Sequence, residues 1–209
     1  MSDSESLFED YLTKHNLSYE KEFQVDPGNV DFKVEKNGHI VLCDVKEVRD
    51  RKKVNYGQIS PQEQIRGDIK KLRKKFGKYR PSLPVVLVTM NFGSNFFTGF
   101  SVHTALIGNV GVYIDAKTET RSELLHLPRG NAALAKNRNS AISAILVFDV
   151  PNSIRHCLFR NPFTYNPIHK NYFPVWKEVD LNPQAGEEDL KLLSYLMFLP
   201  RSFNVISRD

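Results

Sequence analysis

The sequence contains few cysteines and no long apolar run, and each absence excludes a class of protein. With only 2 cysteines, Cys43 and Cys157, it cannot form a disulfide framework or a cysteine-rich zinc cluster. No apolar run is long enough to cross a membrane. The N-terminal MSDSESLFED is acidic and polar, where a signal peptide would need a positive region and an apolar core. We therefore expect a cytoplasmic protein with no membrane partner, in which both cysteines are buried thiols.

The composition is that of an ordinary globular domain. Of its 209 residues, 41% are hydrophobic and 25% are charged. A chain of this length can bury a sizeable core. Since no internal repeat or low-complexity linker divides it, we expect a single domain over residues 1–209, with a core in 1–90 and a sheet extension, loops and a C-terminal helix in 91–209.

The charge is unevenly distributed along the chain. Residues 1–48 carry 5 Lys/Arg and 11 Asp/Glu, a net charge of −6, whereas residues 49–80 carry 12 and 3, a net charge of +9. A metal-dependent enzyme that acts on a polyphosphate chain needs such a combination, because carboxylates hold the ion while Lys and Arg neutralise the backbone. The distribution therefore favours nucleic acid as a partner.

Residues 29–48, NVDFKVEKNGHIVLCDVKEV, have the pattern of a β-hairpin. Two alternating runs flank Asn37-Gly38, which favours a two-residue type I′ turn, where both central residues need positive φ. If Lys36 pairs with His39, then Asp31 lies opposite Asp44. One face is then apolar and carries Val30, Phe32, Val34, Val41, Cys43 and Val45. The other face carries Asp31, Asp44, Lys46, Ile40 and Leu42, and we expect it to be partly buried.

The two aspartates of this hairpin are candidate metal ligands. Asp31 and Asp44 would repel each other unless a cation lies between them. Mg²⁺ supplies that charge and prefers oxygen ligands, and Mn²⁺ has similar preferences. Lys46, on the same face, could orient a water nucleophile or stabilise charge on a phosphodiester under attack. The alternative is a solvated hairpin face on which Asp44 and Lys46 form an ordinary ion pair.

Asp31, the hairpin and then Asp44-Val45-Lys46 resemble the signature of the PD-(D/E)XK nuclease superfamily, an aspartate followed further along by Asp or Glu, any residue, and Lys. The resemblance covers roughly residues 5–90. It implies a restriction-endonuclease-like α/β fold, with an αβββαβ core and a mixed central sheet flanked by helices. It also implies that Asp31 and Asp44 bind the metal and that Lys46 acts in catalysis. Val30 stands where many members have proline, a position that touches no ligand.

The flanking segments predict the remaining elements of this core. A helix is expected from about Glu5 to Asn16, and a strand over 17–25. Ser60-Pro61 begins a second helix that runs to Phe76. Residues 84–90, PVVLVTM, predict a strand covered on both faces and parallel to one strand of the hairpin.

Glu9 on the first helix has two interpretations. Many members of the superfamily place a Glu on the helix before the hairpin, so the resemblance makes Glu9 a third metal ligand or a group that positions a ligating water. The alternative is structural, because Ser6-x-x-Glu9 matches a capping box in which Glu9 bonds back to the helix N-terminus.

The basic segment after the hairpin is the candidate nucleic-acid contact. In a loop expected over residues 49–53 the cationic residues are Arg49, Arg51, Lys52 and Lys53. On the second helix they are Arg66, Lys70, Lys71, Arg73, Lys74 and Lys75. Phosphate contacts of this kind confer affinity without sequence preference. In some members of the superfamily that the hairpin resembles, a glutamine on the helix after the lysine reaches the active site. This resemblance makes Gln62 and Gln64 accessory candidates. The alternative for these residues is a solvated charged surface with exposed glutamines.

The segment beyond residue 90 predicts fewer regular elements. Strands are expected over 110–114 and 143–150, the second of which extends the sheet. Residues 160–176, rich in Asn, Pro and aromatic residues, predict an irregular wrap. A last helix is expected over 186–198.

Together these features predict a Mg²⁺- or Mn²⁺-dependent nuclease that hydrolyses phosphodiester bonds. The pattern is compatible with DNA or RNA and with endo or exo action, and we expect a DNA endonuclease. A homodimer or a larger complex would suit cleavage of both strands. Two alternatives stay open. One is a catalytically silent nuclease-fold subunit that binds nucleic acid, and the other is an interaction module whose basic helix meets an acidic protein partner.

Overall fold

A seven-stranded mixed sheet forms the centre of the fold, and helices cover both of its faces. The computed structural model describes residues 2–25, 28–49, 51–53, 57–59, 61–76, 82–93, 99–108, 110–111, 125–126, 133–134, 140–150 and 155–182. The helices are α1 (Asp3–Lys14), α2 (Pro61–Phe76) and α3 (Gly99–Ile107). The strands are β1 (Ser18–Val25), β2 (Gly28–Lys36), β3 (His39–Val48), β4 (Arg51–Lys53), β5 (Gly57–Ile59), β6 (Val85–Asn91), β7 (Val110–Gly111), β8 (Leu125–His126), β9 (Ile142–Asp149), β10 (Arg155–Arg160) and β11 (Lys177–Asp180).

The strands of the main sheet lie in the order β1-β2-β3-β6-β9-β10-β11. Strands β3, β6 and β9 run parallel to one another, whereas β1, β2 and β10 pair antiparallel with their neighbours β2, β3 and β9. β11 is parallel to β10. The predicted α/β class is confirmed, as are the mixed sheet, the parallel strand after α2 and the extension of the sheet by β9.

The hairpin of β2 and β3 forms around the predicted turn. Asn37 has φ 52° and Gly38 has φ 75°, as a type I′ turn requires. Lys36 pairs with His39 and Phe32 pairs with Cys43, so the predicted register is confirmed over this range. Since the side-chain period of a strand is two residues, this register decides which side chains of β3 face each layer of the core.

Each face of the sheet packs against its own layer. Helices α2 and α3 cover one face, where Ile65, Ile69 and Leu72 pack with residues of β6 and β9. Helix α1 and the segment 161–176 cover the other face, where Phe8 and Phe173 pack with Phe32. Each buried side chain of this size contributes about 1.5–3 kcal/mol. Strands β6 and β9 are buried along their whole length, as the apolar run over residues 84–90 predicts for β6.

Helix α1 begins earlier than the sequence pattern suggested. Its N-cap is Ser2, whose hydroxyl accepts from the Glu5 backbone N–H while the Glu5 carboxylate accepts from the Ser2 backbone N–H. The predicted capping box of Ser6 and Glu9 is therefore wrong. The acidic first turn, with Asp3 and Glu5, offered an equally good start one turn upstream.

Several other elements differ from the prediction. Val30 packs with the α2 layer and not with Phe32. The segment expected to be a loop includes β4, which forms a two-stranded ladder with β5. The sequence did not predict α3, β10 or β11, whereas the wrap between β10 and β11 is irregular as expected.

Some predictions lie outside the described residues. These are the last helix over 186–198, the cap at Ser60 and residues 112–114 of the strand expected over 110–114. Both cysteines are buried and free, as predicted. None of the helices described combines the length and apolar character needed to span a lipid bilayer.

Candidate active site

The candidate site lies where β2 separates from β3. The ladder between these strands ends at Phe32 and Cys43, and the ladder between β1 and β2 skips Glu22 and Asp31, with Glu22 at φ 48°. Here the carboxylate of Asp31 takes the place of a backbone partner, because its Oδ2 accepts the Val45 N–H at 2.6 Å. A buried backbone N–H needs such an acceptor. The break in the ladder explains why Val30 and Phe32 point to opposite faces of the sheet. The hydrogen bond from the Val45 N–H holds Asp31 beside β3.

Asp44 projects from β3 toward α2 and lies between two lysines. Its side chain is only 2% exposed. Lys46 Nζ lies 2.7 Å from Asp44 Oδ2, and Lys75 Nζ, from the last turn of α2, lies 2.5 Å from Asp44 Oδ1. Each carboxylate oxygen therefore has its own ammonium partner. Such charge-assisted hydrogen bonds offset the cost of burying the carboxylate.

Three oxygen atoms converge on the ammonium of Lys46. They are Asp44 Oδ2 at 2.7 Å, the Val45 carbonyl oxygen at 2.9 Å and Asp31 Oδ2 at 3.6 Å. Two carboxylates and a carbonyl around one cation are the type of donor set that Mg²⁺ or Mn²⁺ prefers. The residues at this position therefore fit a hard divalent ion, provided that the Lys46 ammonium moves aside.

The charges of the cluster perturb one another. Burial raises the pKa of Asp31, and the neighbouring Asp44 raises it further, whereas Lys46 and the Val45 N–H oppose the shift. Burial alone would lower the pKa of Lys46, but the attraction of Asp44 and Asp31 raises it above its ordinary value. Lys46 is therefore a firmly charged ammonium, suited to electrostatic stabilisation more than to proton abstraction.

The chain was also compared with known proteins. No protein-family model, curated protein or solved structure matches it. The chemistry of the site is therefore inferred from its own residues and their geometry.

A cleft of about 180 Å³ opens beside Asp31. It is lined by Glu5, Lys21, Glu22, Asn29, Asp31 and Phe32. The side chain of Asp31 is 27% exposed. A small ion or a water molecule can therefore reach this carboxylate from solvent.

Glu9 occupies a different position from the two aspartates. Its Oε2 lies 2.5 Å from Lys21 Nζ, and its Oε1 accepts the Tyr19 hydroxyl at 2.9 Å. The hydrogen bond from Lys21, followed by that from Tyr19, lowers the pKa of Glu9. In the part of the chain that is described, no group of three His, Cys, Asp or Glu residues could hold a metal ion. The structure thus brings together Asp31, Asp44 and Lys46 but does not add Glu9 to them.

The cationic residues of α2 divide into exposed and engaged groups. Lys70, Arg73 and Lys74 are exposed. Lys71 is also exposed, but its Nζ lies 2.8 Å from Oδ1 of the buried Asp68. Arg66 donates instead to the Thr104 and Ala105 carbonyl oxygens near the C-terminus of α3. Arg66 therefore joins α2 to the C-terminal turn of α3 and serves the fold.

The segment that leaves β3 is held by Gln64 near the start of α2 and by the contacts of the Arg49 side chain. The Gln64 amide accepts the Arg49 backbone N–H at 3.3 Å and donates to the Arg49 carbonyl oxygen at 2.8 Å. The Arg49 guanidinium pairs with Glu47 and Asp3 and lies over the Phe92 ring. Gln62 is half-buried in the first turn of α2. Gln64 therefore holds the backbone next to the site, and its accessory role stays a prediction.

The backbone of Arg51, Lys52 and Lys53 forms β4, but their side chains lie outside the described residues. Sequence reasoning missed two contributors to the site. One is the Val45 carbonyl oxygen, and the other is the contact of Lys75 with Asp44. The position of Lys75 in a basic helix predicts only a place on the phosphate-binding surface.

Proposed function

We propose that this protein is a metal-dependent nuclease of the PD-(D/E)XK type. The observation that carries the proposal is the convergence of Asp31, Asp44 and the Val45 carbonyl on one cation position, with Lys46 at its centre. The order α1-β1-β2-β3-α2-β6, with β6 parallel to β3, agrees with the αβββαβ arrangement of a restriction-endonuclease-like core. β4 and β5 form an insertion in this arrangement.

Asp31, Asp44 and the Val45 carbonyl would hold one Mg²⁺ or Mn²⁺ ion. The ion, when bound, supplies a Lewis acid that activates water and offsets charge on the phosphate. Asp31 is held in place by the Val45 N–H, so the ligands are already oriented in the folded chain. We do not include Glu9, because Lys21 and Tyr19 engage both of its oxygens.

Lys46 has the role of orienting the attacking water and stabilising the negative charge that develops on the phosphodiester. In the free protein the attraction of Asp44 and Asp31 raises the pKa of its ammonium, and this positive group would move aside to admit the ion while staying beside it. The Lys46 side chain is 29% exposed, so the cluster is not closed off from solvent.

The substrate class follows from the charge beside the site. Exposed Lys70, Arg73 and Lys74 share a helix with Lys75, whose ammonium reaches Asp44. A polyanionic strand bound along α2 would therefore pass close to the cluster of aspartates. Contacts from such residues read the phosphate backbone, which supports a nucleic acid as the substrate without a preferred sequence, and DNA stays the expected form.

One observation favours a second candidate function. Both oxygens of Asp44 are neutralised by lysines, as in a cluster that serves only to stabilise a fold. A catalytically silent subunit that binds nucleic acid through α2 would have this arrangement without using a metal.

The test is a cleavage assay on circular and linear, single- and double-stranded DNA and on RNA, with Mg²⁺, Mn²⁺ or EDTA. Wild type is compared with Lys46→Ala and with Lys170→Ala, which removes the same charge at an exposed position in the segment between β10 and β11. We expect metal-dependent cleavage by wild type and Lys170→Ala and none by Lys46→Ala, which should still bind.

Cleavage by Lys46→Ala at the wild-type rate would contradict the assigned chemistry. Binding without cleavage in all three proteins would favour the silent subunit. The absence of affinity for DNA and RNA would favour an acidic protein as the partner of α2.

A further inference from the structure

Lys75 stands apart from the other lysines of α2. Its Nζ lies 2.5 Å from Asp44 Oδ1, whereas its neighbour Lys74 is exposed. Asp44 and Lys46 belong to the same strand, but Lys75 comes from a helix that crosses the sheet at this point. The contact therefore joins the helix proposed to bind the phosphate backbone to the aspartate proposed to bind the metal ion.

The stem of Lys75 lies close to β2, and the side chain as a whole is partly exposed. A Cβ atom built on Gly28 at the start of β2 would lie 3.8 Å from Lys75 Cε and 3.9 Å from Cγ, so the stem runs close to the β2 backbone. The Lys75 side chain is 27% exposed. A long side chain with this exposure can turn its ammonium from Asp44 to solvent, or to an anion in the solvent, without moving the helix.

The net charge of the four-residue cluster that contains Asp44 indicates how the contact of Lys75 with Asp44 affects cation binding. Asp31, Asp44, Lys46 and Lys75 sum to zero in the structure. A divalent cation at Asp44 would give the cluster a charge of +2 and would lie close to both ammonium groups. Lys75 therefore opposes cation binding as long as it stays on Asp44. A phosphate of a bound strand would give Lys75 another partner and would return the cluster toward neutrality.

We propose that Lys75 exchanges Asp44 for a phosphate of the bound nucleic acid, and in this way couples substrate binding to cation binding. This inference rests on the proposed nuclease function and names the regulation of its site. Coupling of this kind is reciprocal, so the cation must also strengthen binding of the nucleic acid. The free protein then holds a divalent ion weakly, and the complex holds it tightly.

The experiment measures Mn²⁺ binding by electron paramagnetic resonance, which does not depend on cleavage. The proteins are wild type, Lys75→Met, Lys75→Arg and Lys74→Met, and circular dichroism checks that each is folded. Lys74→Met is the matched control, because it removes the same charge from the same helical turn at an exposed residue. Without nucleic acid, we expect Lys75→Met to bind Mn²⁺ about tenfold more tightly than wild type. We expect Lys75→Arg to bind it no more tightly than wild type, and Lys74→Met to stay within about twofold.

A second set of titrations adds a nuclease-resistant phosphorothioate DNA duplex. The duplex should strengthen Mn²⁺ binding by wild type about tenfold and by Lys75→Met no more than about twofold. Equal Mn²⁺ affinities of wild type and Lys75→Met, with and without duplex, would overturn the exchange while the proposed metal site stands. Failure of every protein to bind Mn²⁺, with or without duplex, would overturn the exchange together with the proposed function.

Discussion

Replacing both lysines that contact Asp44 is expected to destabilise the protein by more than the sum of the two single replacements. In Lys46→Met or Lys75→Met, the Asp44 carboxylate keeps one ammonium partner. Methionine has a similar length and no charge, so each single variant loses mainly one charge-assisted hydrogen bond. Because both lysines are partly exposed, we expect each replacement to cost about 1 kcal/mol of the free energy of unfolding.

The double variant is different because of the burial of Asp44. Its side chain is 2% exposed, so without either lysine a charged group stays buried and uncompensated. A charge left in this way costs about 3–5 kcal/mol. The coupling between the two replacements should therefore be about 1–3 kcal/mol. Adding Asp44→Asn to the double variant removes the charge and should restore most of the lost stability.

Urea unfolding in the presence of EDTA measures these free energies. Circular dichroism and the fluorescence of Trp176, the single tryptophan, report the transition. If the two replacements are additive within about 0.5 kcal/mol, Asp44 does not depend on the two lysines together, and the reasoning is refuted. Failure of Asp44→Asn to rescue the double variant would show that the loss arises from packing and not from charge.

Three further predictions concern separate features of the structure. Gly38→Ala should lower the free energy of unfolding by about 1 kcal/mol, since the φ of 75° strains any residue with a Cβ while no heavy atom lies within 4 Å of it. An unchanged urea midpoint would contradict this. Thr89→Val should raise the free energy of unfolding by about 1 kcal/mol, because the buried Thr89 hydroxyl has no hydrogen-bond partner among the described residues. A lower thermal midpoint would show that the hydroxyl has a partner. Lys70→Glu with Lys74→Glu should weaken DNA binding and reduce the slope of log affinity against log salt by about 2, measured by fluorescence anisotropy. An unchanged slope would show that the DNA does not contact Lys70 and Lys74 of α2.

The hairpin could be predicted because its information is local. Asn37-Gly38 fixes the turn, and the turn fixes the register of the residues next to it. The position of Val30 could not be predicted, because the break in the strand depends on the Asp31 carboxylate replacing a backbone partner. Alternation along the sequence contains no signal for such a replacement.

Elements that depend on tertiary contacts were missed for a similar reason. Helix α3, GFSVHTALI, has no charged residue, so no polar face reveals a helical period. Strand β11, KEVD, is short and polar, and it is held to the sheet partly through Glu178 and Asp180, which pair with Arg160. These segments become regular because of what they pack against.

The hairpin residues of the candidate site could largely be predicted from the sequence, whereas the positions of Lys75 and Glu9 could not. Asp44 and Lys46 are related by the two-residue period of β3, which the sequence can supply. Asp31 lies beyond the end of the β2–β3 ladder and reaches β3 through the hydrogen bond from the Val45 N–H. Lys75 reaches the site only through the way α2 crosses β3, and Glu9 is kept from it by Tyr19 and Lys21 on β1. The packing of the helices against the strands decides both positions, and residue spacing along the chain does not reveal this packing.

The most direct test of the central claim, that Asp31 and Asp44 hold a metal ion for phosphodiester hydrolysis, is the nicking of supercoiled circular DNA by wild type and Asp44→Asn. The account predicts that wild type converts the circles to nicked form in Mg²⁺ and not in EDTA. It also predicts that Asp44→Asn binds the DNA but nicks it at a rate at least about a hundredfold lower than wild type. Nicking by Asp44→Asn at the wild-type rate, or equal nicking in EDTA, would contradict the account.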